Sequence, residues 1–478
     1  MTTGCRKLAA ALVLAAALGG CSDGGPAPAK PMNVLFITAD DLGPMLSSYG
    51  ETLIRTPNID ALAAGGVRFE TAYVAQASCS PSRSAMFTGM YVHSTGQYGL
   101  TNGGFTLHEE LRDKTMPNLL KKAGYRTGII GKLHVAPEES FQFDYRPKVN
   151  ARVVRDVAGL ADRFLAEGGA QPFFLMVNYS DPHAFRKEDD PRDWHFPPQV
   201  DGLPENPLPP GERTIFAAQQ TDAEGHRVRT AGYYNAIERL DVGVGLLMEV
   251  IERRGLAGNT LVVFVGDHGP PFARGKTTVY EFGVRVPFLV RWPGVSQPGL
   301  VSKAMVSTVD ILPTVLDATG QSIPANVQGR SLRPVLGAPE ATWREYLAAE
   351  FHFHGRRPFY PRRAIRDQRY KLIHNLLAGR AKPSTTIDAC PGYKIAQEAR
   401  YRGTPVAKAF ETFGDPPEFE LYDLSEDPIE FHNLAGDPAH RGTLERLQRA
   451  LLDWRKQTND PFLDPTYVDK YVEYAKPE

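Results

Sequence analysis

Four short apolar runs in this chain stop on residues that carry charge or an imidazole. The run 33–38 (Asn-Val-Leu-Phe-Ile-Thr) gives way to Asp40-Asp41 after one alanine. The run 126–130 passes through Gly131 to Lys132 and His134. The runs 172–179 and 261–265 lead to Asp181-Pro182-His183 and to Asp267-His268. Continuous apolar stretches of this length suit strands buried on both faces. Between them lie helical patterns at 115–123, closed by Gly124, and at 233–254, stopped by Gly255. The alternation predicts an α/β fold, a mixed or parallel sheet sandwiched by helices. Open sheets of that kind build their sites beyond the C-terminal ends of the strands. Four distant stretches are therefore expected to meet in one cleft.

A length of 478 residues exceeds what one small core uses. The main domain is expected at 31–345. A smaller α+β unit is expected at 346–478, with antiparallel strands at 370–375 and 419–424 and a terminal helix at 443–456. Residues 1–20 read as a signal peptide. Arg6 and Lys7 precede an apolar stretch, 8–18, too short to span a bilayer. Leu18-Gly19-Gly20-Cys21 resembles a bacterial lipobox, with a plain secretory signal as the alternative. On the lipobox reading Cys21 is lipidated and 21–30 is a flexible tether. The protein is then exported, periplasmic or outer-membrane-anchored, and touches membrane only through that lipid. With only Cys79 and Cys390 left of four cysteines, no intramolecular disulfide is expected. A net charge of −1 offers no field for nucleic acid, so an anionic ligand must be gripped by local clusters.

Those clusters are visible. Adjacent carboxylates such as Asp40 and Asp41 are costly to bury unless a cation neutralises them. Asp267 and His268 complete a candidate divalent site, and oxygen-rich ligation favours Ca²⁺ or Mg²⁺. Either pair alone reads equally as a helix cap or a turn. In Cys79-Ser80-Pro81-Ser82-Arg83, the arginine shares a face with the cysteine if Cys79 opens a helix. Lys132 and His134 alternate, so in extended chain they point one way. With His183 and Lys276 they make two lysines to hold an anion and two imidazoles to move protons. A basic cluster at 356–366, interleaved with His352 and His354 and including Arg363, reads as a clamp for carboxylates or sulfates or as a solvated loop.

The pentapeptide Cys79-x-Pro-x-Arg83 resembles the signature of the type I sulfatases, formylglycine-dependent enzymes with an alkaline-phosphatase-like fold. Within that family the chain most resembles the N-sulfoglucosamine sulfohydrolase branch. The likeness is carried by 78–84, by 128–135 (Gly-Ile-Ile-Gly-Lys-Leu-His-Val), by Asp181-Pro182-His183, by 371–376, by 420–423 and by 458–461. It implies that a maturation enzyme converts Cys79 to formylglycine, whose hydrate attacks sulfur. It also implies that Asp40, Asp41, Asp267, His268 and modified Cys79 hold a metal, with Arg83, Lys132, His134, His183 and Lys276 completing the pocket. The implied substrate is a sulfated oligosaccharide, its bond the N-sulfate of a terminal glucosamine. An O-sulfatase or a phosphodiesterase or phosphonate hydrolase of the same superfamily is the alternative. Two positions depart from the pattern. His268 stands where asparagine is common, which softens the site toward Mn²⁺ or Zn²⁺. Lys276 stands where the N-sulfatase carries arginine.

Overall fold

The computed structural model describes residues 1–2, 31–186, 189–190, 193–211, 214–338, 341 and 343–476. The leader at 3–20 and the tether with Cys21 lie outside the described residues. No helix among the described residues is long and apolar enough to cross a membrane.

The centre is a seven-stranded sheet. Its strands are β1 (Asn33–Ala39), β2 (Val67–Phe69), β3 (Arg126–Gly131), β4 (Phe173–Tyr179), β5 (Thr260–Gly266), β6 (Phe288–Arg291) and β7 (Leu300–Ser302). The order across it is β7-β2-β6-β5-β1-β4-β3. Strands β5, β1, β4 and β3 run parallel, and β6 is antiparallel to both its neighbours. Every residue of β1, β4 and β5 is buried, as a sheet covered on both faces requires. The covering helices include α1 (Cys79–Thr88), α2 (Val154–Glu167), α3 (Glu224–Arg253) and α4 (Ile311–Ala318). Helix α3 starts at Glu224 rather than at 233 as the apolar period suggests. Its first turns bury His226, Arg229 and Thr230, and polar residues facing inward hide the period.

A second sheet is antiparallel throughout: β8 (Leu347–Phe351), β9 (Arg362–Arg366), β10 (Tyr370–Asn375) and β11 (Phe419–Asp423). Alternation along its strands sends the two faces to different cores. Ala364, Ile373 and Tyr422 join the core of the main sheet. Ile365, Leu372 and Leu421 pack with Leu447 and Leu451 of α5 (Arg441–Gln457), which is not the terminal helix expected from sequence, since a further helix, Pro465–Tyr474, follows it. The smaller unit is thus welded to the larger one through a shared interior.

A buried ion network adds to the weld. Glu350 on β8 and Arg363 on β9 are register partners. Arg363 grips Asp460 with two hydrogen bonds of 2.8 Å, and its Nε lies 3.6 Å from Glu350. His93 meets Glu350 at 2.8 Å, and Arg455 meets Asp460 at 2.7 Å. His352 and Arg363, read from sequence as saccharide ligands, belong here instead. His352 is fully buried, with Nδ1 2.8 Å from Gln76 Oε1 and its ring against Phe462. Strand alternation turns both inward, and the partner Asp460 is too remote in sequence to have been read as one.

Burial opposes ionisation of Glu350, yet His93 and Arg363 hold its carboxyl down to about 2 from an ordinary 4.5. A carboxyl lowered on folding contributes its stability above the unfolded value and loses it as pH falls toward the folded one. That contribution is about 3 kcal/mol. Glu350→Gln is therefore expected to be less stable than wild type near neutrality. The gap should narrow as pH drops from 4.5 toward 2, read as urea midpoints across that range.

Candidate active site

Backbone pairing carries on past the strand ends and sets the site. The Asp40 N–H donates to the Tyr179 carbonyl at 3.2 Å, and the Asp267 N–H to the Ala39 carbonyl at 2.9 Å. Gly131 pairs with Asn178, so Lys132 leaves the same edge of the sheet. Gly131 has φ +91°, and a Cβ there would lie 2.2 Å from the Asn178 carbonyl oxygen, so glycine is required before Lys132. Helix α1 reaches this edge with Cys79 as its first residue. The Thr277 N–H donates to the Ala77 carbonyl at 2.8 Å and brings Lys276 alongside. Asp41, His134 and Thr277 all have positive φ, at 67°, 56° and 74°. Such backbone costs on the order of 1–3 kcal/mol per residue and persists where the surroundings dictate it.

The side chains converge. Cys79 Sγ lies 3.2 Å from His268 Nε2 and 3.6 Å from Asp40 Oδ1. His268 Nε2 is 3.2 Å from Asp41 Oδ1, while Nδ1–H donates to the Gly269 carbonyl at 2.9 Å. Fixing one ring nitrogen on a backbone carbonyl aims the other as a ligand. Lys132 Nζ pairs with Asp40 Oδ2 at 2.7 Å, and Lys276 Nζ with Asp41 Oδ1 at 3.0 Å. His183 Nε2 sits 3.3 Å from Lys276 Nζ and 3.8 Å from Asp41 Oδ2. The His134 imidazole lies close enough to Cys79 to help lower its thiol.

Arg83 turns its guanidinium to the strand ends. It is fully buried and grips Asp267 Oδ2 through Nε and Nη2, both at 3.0 Å. Its Nη1 donates to Asn178 Oδ1 at 2.7 Å and to the Lys132 carbonyl at 3.2 Å. It braces the carboxylate and the strand ends. Asp267 is held on its other side too, since Oδ1 accepts the Asp41 N–H at 2.9 Å. Ligand atoms of Asp40, Asp41, Cys79 and His268 all lie within 4.8 Å of one another, and Asp267 flanks that set.

Burial and close charges set the protonation of the cluster. Burial pushes the Asp267 carboxyl up to about 7, with the Asp40 charge adding to it. Burial raises Asp41 as well. Burial also opposes ionisation of Asp40, but Lys132, His183 and Arg83 together outweigh it and hold that carboxyl far down. Burial alone would raise the Cys79 thiol; Lys132, Lys276 and His268 instead bring it well below its ordinary value. Although burial opposes it, Asp267, Cys79 and Asp41 hold a proton on His268 up to about 9. Ligand atoms from three separate segments nevertheless converge on one buried point, at Asp40, Asp41, Cys79 and His268. A divalent cation fits that donor set. Carboxylates suit Ca²⁺ or Mg²⁺, and the imidazole nitrogen admits softer ions.

Two residues of the second unit also reach the cluster. Asp388, which the sequence did not mark, places Oδ2 3.3 Å from Lys276 Nζ. His354 Nδ1 lies 2.9 Å from the hydroxyl of Ser78, the residue before Cys79. Solvent enters beside Lys132 and His183, whose side chains are 25% and 21% exposed; those of Asp41, Asp267 and His268 are fully buried. A separate cavity of about 900 Å³, lined by Tyr91, Trp343 and Trp454, contains none of these residues.

Removal of divalent ions should therefore destabilise the fold. An ion at a hundred times its Kd adds about 2.7 kcal/mol. Melting after chelation is expected several degrees lower, with recovery on adding Ca²⁺ or Mg²⁺. Asp41→Asn should blunt that recovery.

Comparison with known proteins agrees with this geometry. The family model described as Sulfatase matches residues 32–321. The model described as N-sulphoglucosamine sulphohydrolase, C-terminal, matches residues 266–381. N-sulphoglucosamine sulphohydrolase of Homo sapiens is 32% identical over 91% of this chain and 92% of its own length. An ulvan-active sulfatase of Formosa agariphila is 31% identical, over 90% and 81%. A solved structure in complex with its substrate D-glucosamine-2-N,6-O-disulfate shares the fold, with TM-score 0.65 and 21% identity over 90% of this chain and 98% of its own. The chain belongs to the sulfatase family and has its alkaline-phosphatase-like fold: it is a sulfate or sulfamate hydrolase.

Proposed function

We propose that the substrate is a sulfated saccharide of the heparin or heparan sulfate type and that the bond cleaved is the N-sulfate of a terminal glucosamine. The observation that supports this reading most directly is the position of Cys79. Its sulfur stands against Asp40 and His268, ringed by Lys132, Lys276, His134 and His183. The family implies oxidation of that cysteine to formylglycine. The likeness to human N-sulphoglucosamine sulphohydrolase along 91% of the chain supports the choice of bond.

In this proposal Asp40, Asp41, Asp267 and His268 hold the divalent ion, Ca²⁺ on the oxygen count, with the modified residue 79 beside it. Bound there, the ion supplies positive charge against the sulfate oxygens, and the hydrated aldehyde supplies an oxygen nucleophile. The chain's own groups do the rest. Lys132 and Lys276 hold the sulfate oxygens. Arg83 holds Asp267 in place. His183 keeps Nδ1 on the Ala184 carbonyl and turns Nε2 toward Lys276 and Asp41. From Nε2 it gives a proton to the leaving nitrogen as the N–S bond breaks, and the sugar departs as an amine. His134, whose Nδ1 has no hydrogen-bond partner among the described residues, accepts a proton from residue 79.

A second reading is an O-sulfatase acting on another sulfated glycan. Lys276 favours it, since the N-sulfatase pattern has arginine there, and so does the likeness to the ulvan-active sulfatase. Sulfate release from N-sulfated against 6-O-sulfated glucosamine separates the two. N-sulfate hydrolysis is expected to dominate, and 6-O-sulfate release alone would favour the second reading. Cys79→Ser, which cannot become the aldehyde by thiol oxidation, should lose at least about a thousandfold in kcat/KM. The mass of the tryptic peptide spanning residue 79 reports the oxidation independently. We further propose export as a lipoprotein through Cys21, on the pattern at 1–21. Fatty-acid labelling that persists in Cys21→Ala would overturn it.

A further inference from the structure

Asp388 enters the site from outside the main sheet. It lies in the segment between β10 and β11 of the second sheet. Its backbone and that of Ala389 both have positive φ, 48° and 56°, an unusual pair for residues other than glycine. The turn is clamped at its end. Cys390 donates its N–H to the Ile387 carbonyl at 2.8 Å, and its sulfur accepts the Ala273 N–H at 3.4 Å. Ala273 is three residues before Lys276 in sequence. Gln219 donates to the carbonyl of the same Ala273. The strained turn is therefore pinned to the segment that carries Lys276.

The pinning delivers a carboxylate to one place. The ligand atoms of Asp388, His183 and Asp41 lie within 4.8 Å of one another. Lys276 Nζ bridges them, at 3.3 Å from Asp388 Oδ2 and 3.3 Å from His183 Nε2. Lys276 Nζ also pairs with Asp41 Oδ1 at 3.0 Å. Asp388 therefore places a carboxylate oxygen within 4.8 Å of a ring nitrogen of His183, the residue to which the proposed mechanism gives the proton transfer.

Leaving atoms differ in a way that an acceptor there can read. The nitrogen of a sulfamate carries an N–H before cleavage and gains a second hydrogen from His183 on departure. The bridging oxygen of a sulfate ester carries no hydrogen in the ground state. A carboxylate beside the leaving atom can accept from the first and only crowds the second. A site that hydrogen-bonds a substrate N–H discriminates strongly against an analogue lacking it.

We propose that Asp388 is a specificity-determining residue that accepts the sulfamate N–H, and afterwards holds the protonated amine of the product. This rests on the N-sulfatase reading above. Asp388→Asn is the variant of choice, because asparagine tolerates the left-handed backbone at that position. The readout is the ratio of kcat/KM on N-sulfoglucosamine to kcat/KM on an aryl sulfate, measured on matured full-length enzyme. The ratio is expected to fall at least tenfold in the variant. An equal fall on both substrates would mean that Asp388 only supports Lys276, and would overturn the proposal. Wild-type enzyme that cleaves the aryl sulfate and leaves N-sulfoglucosamine intact would sink the N-sulfatase reading itself, and this one with it. A second measurement needs no variant. Glucosamine should inhibit wild-type aryl sulfate hydrolysis at least tenfold more strongly than N-acetylglucosamine, whose nitrogen takes no proton. Equal inhibition by the two sugars would also overturn the proposal.

Discussion

Buried negative charge organises this molecule. Asp40, Asp41 and Asp267 stand together at the ends of two neighbouring parallel strands, out of water. Isolated carboxylates in such a place would take up protons rather than ionise. Arg83, Lys132, Lys276 and His268 each approach one of them within 3.2 Å. Those cations come from α1 and from the segments following β3 and β5. Charge balance therefore fixes where those segments lie relative to the sheet. The point where ligand atoms of Asp40, Asp41, Cys79 and His268 meet marks the place for a divalent ion, with the nucleophile candidate Cys79 beside it.

The second sheet has two jobs. One of its faces completes the interior of the main sheet, and the Glu350–Arg363–Asp460 network locks its first two strands to the turn after α5. Its loop between β10 and β11 then reaches back to bring Asp388 against Lys276. Support and a carboxylate at the site come from one unit. Changes in its packing will thus be felt at the site without touching the residues on the strand ends.

Much of this was legible along the chain. The runs at 33–38, 126–130, 172–179 and 261–265 announced their strands through unbroken apolar character, and the charged residues after them announced a common edge. The antiparallel half of the main sheet was not read. Its strands β2 and β7 are only three residues long, too short for any period to show. Arg363 and His352 misled because a basic cluster looks alike in one dimension whether it faces solvent or an interior. Their partners, Asp460 and Gln76, are about a hundred residues or more away in sequence. Asp388 gave no signal at all, being a single acid in a polar stretch. Two adjacent left-handed residues without glycine could not have been inferred there. Arg83 shows a finer limit: helical spacing placed it near Cys79, but only coordinates reveal that its guanidinium turns to Asp267.

The depth of Cys79 carries a consequence for timing. Only 2% of the residue meets solvent, and α1 is buried along its whole length beneath the folded chain. Another protein cannot grasp that segment once the sheet has closed over it. Any enzyme that oxidises this cysteine must act on a nascent or unfolded polypeptide. Maturation is then a race against folding: a chain that folds quickly in a host short of the oxidising enzyme would accumulate as a stable, well-packed and catalytically silent protein.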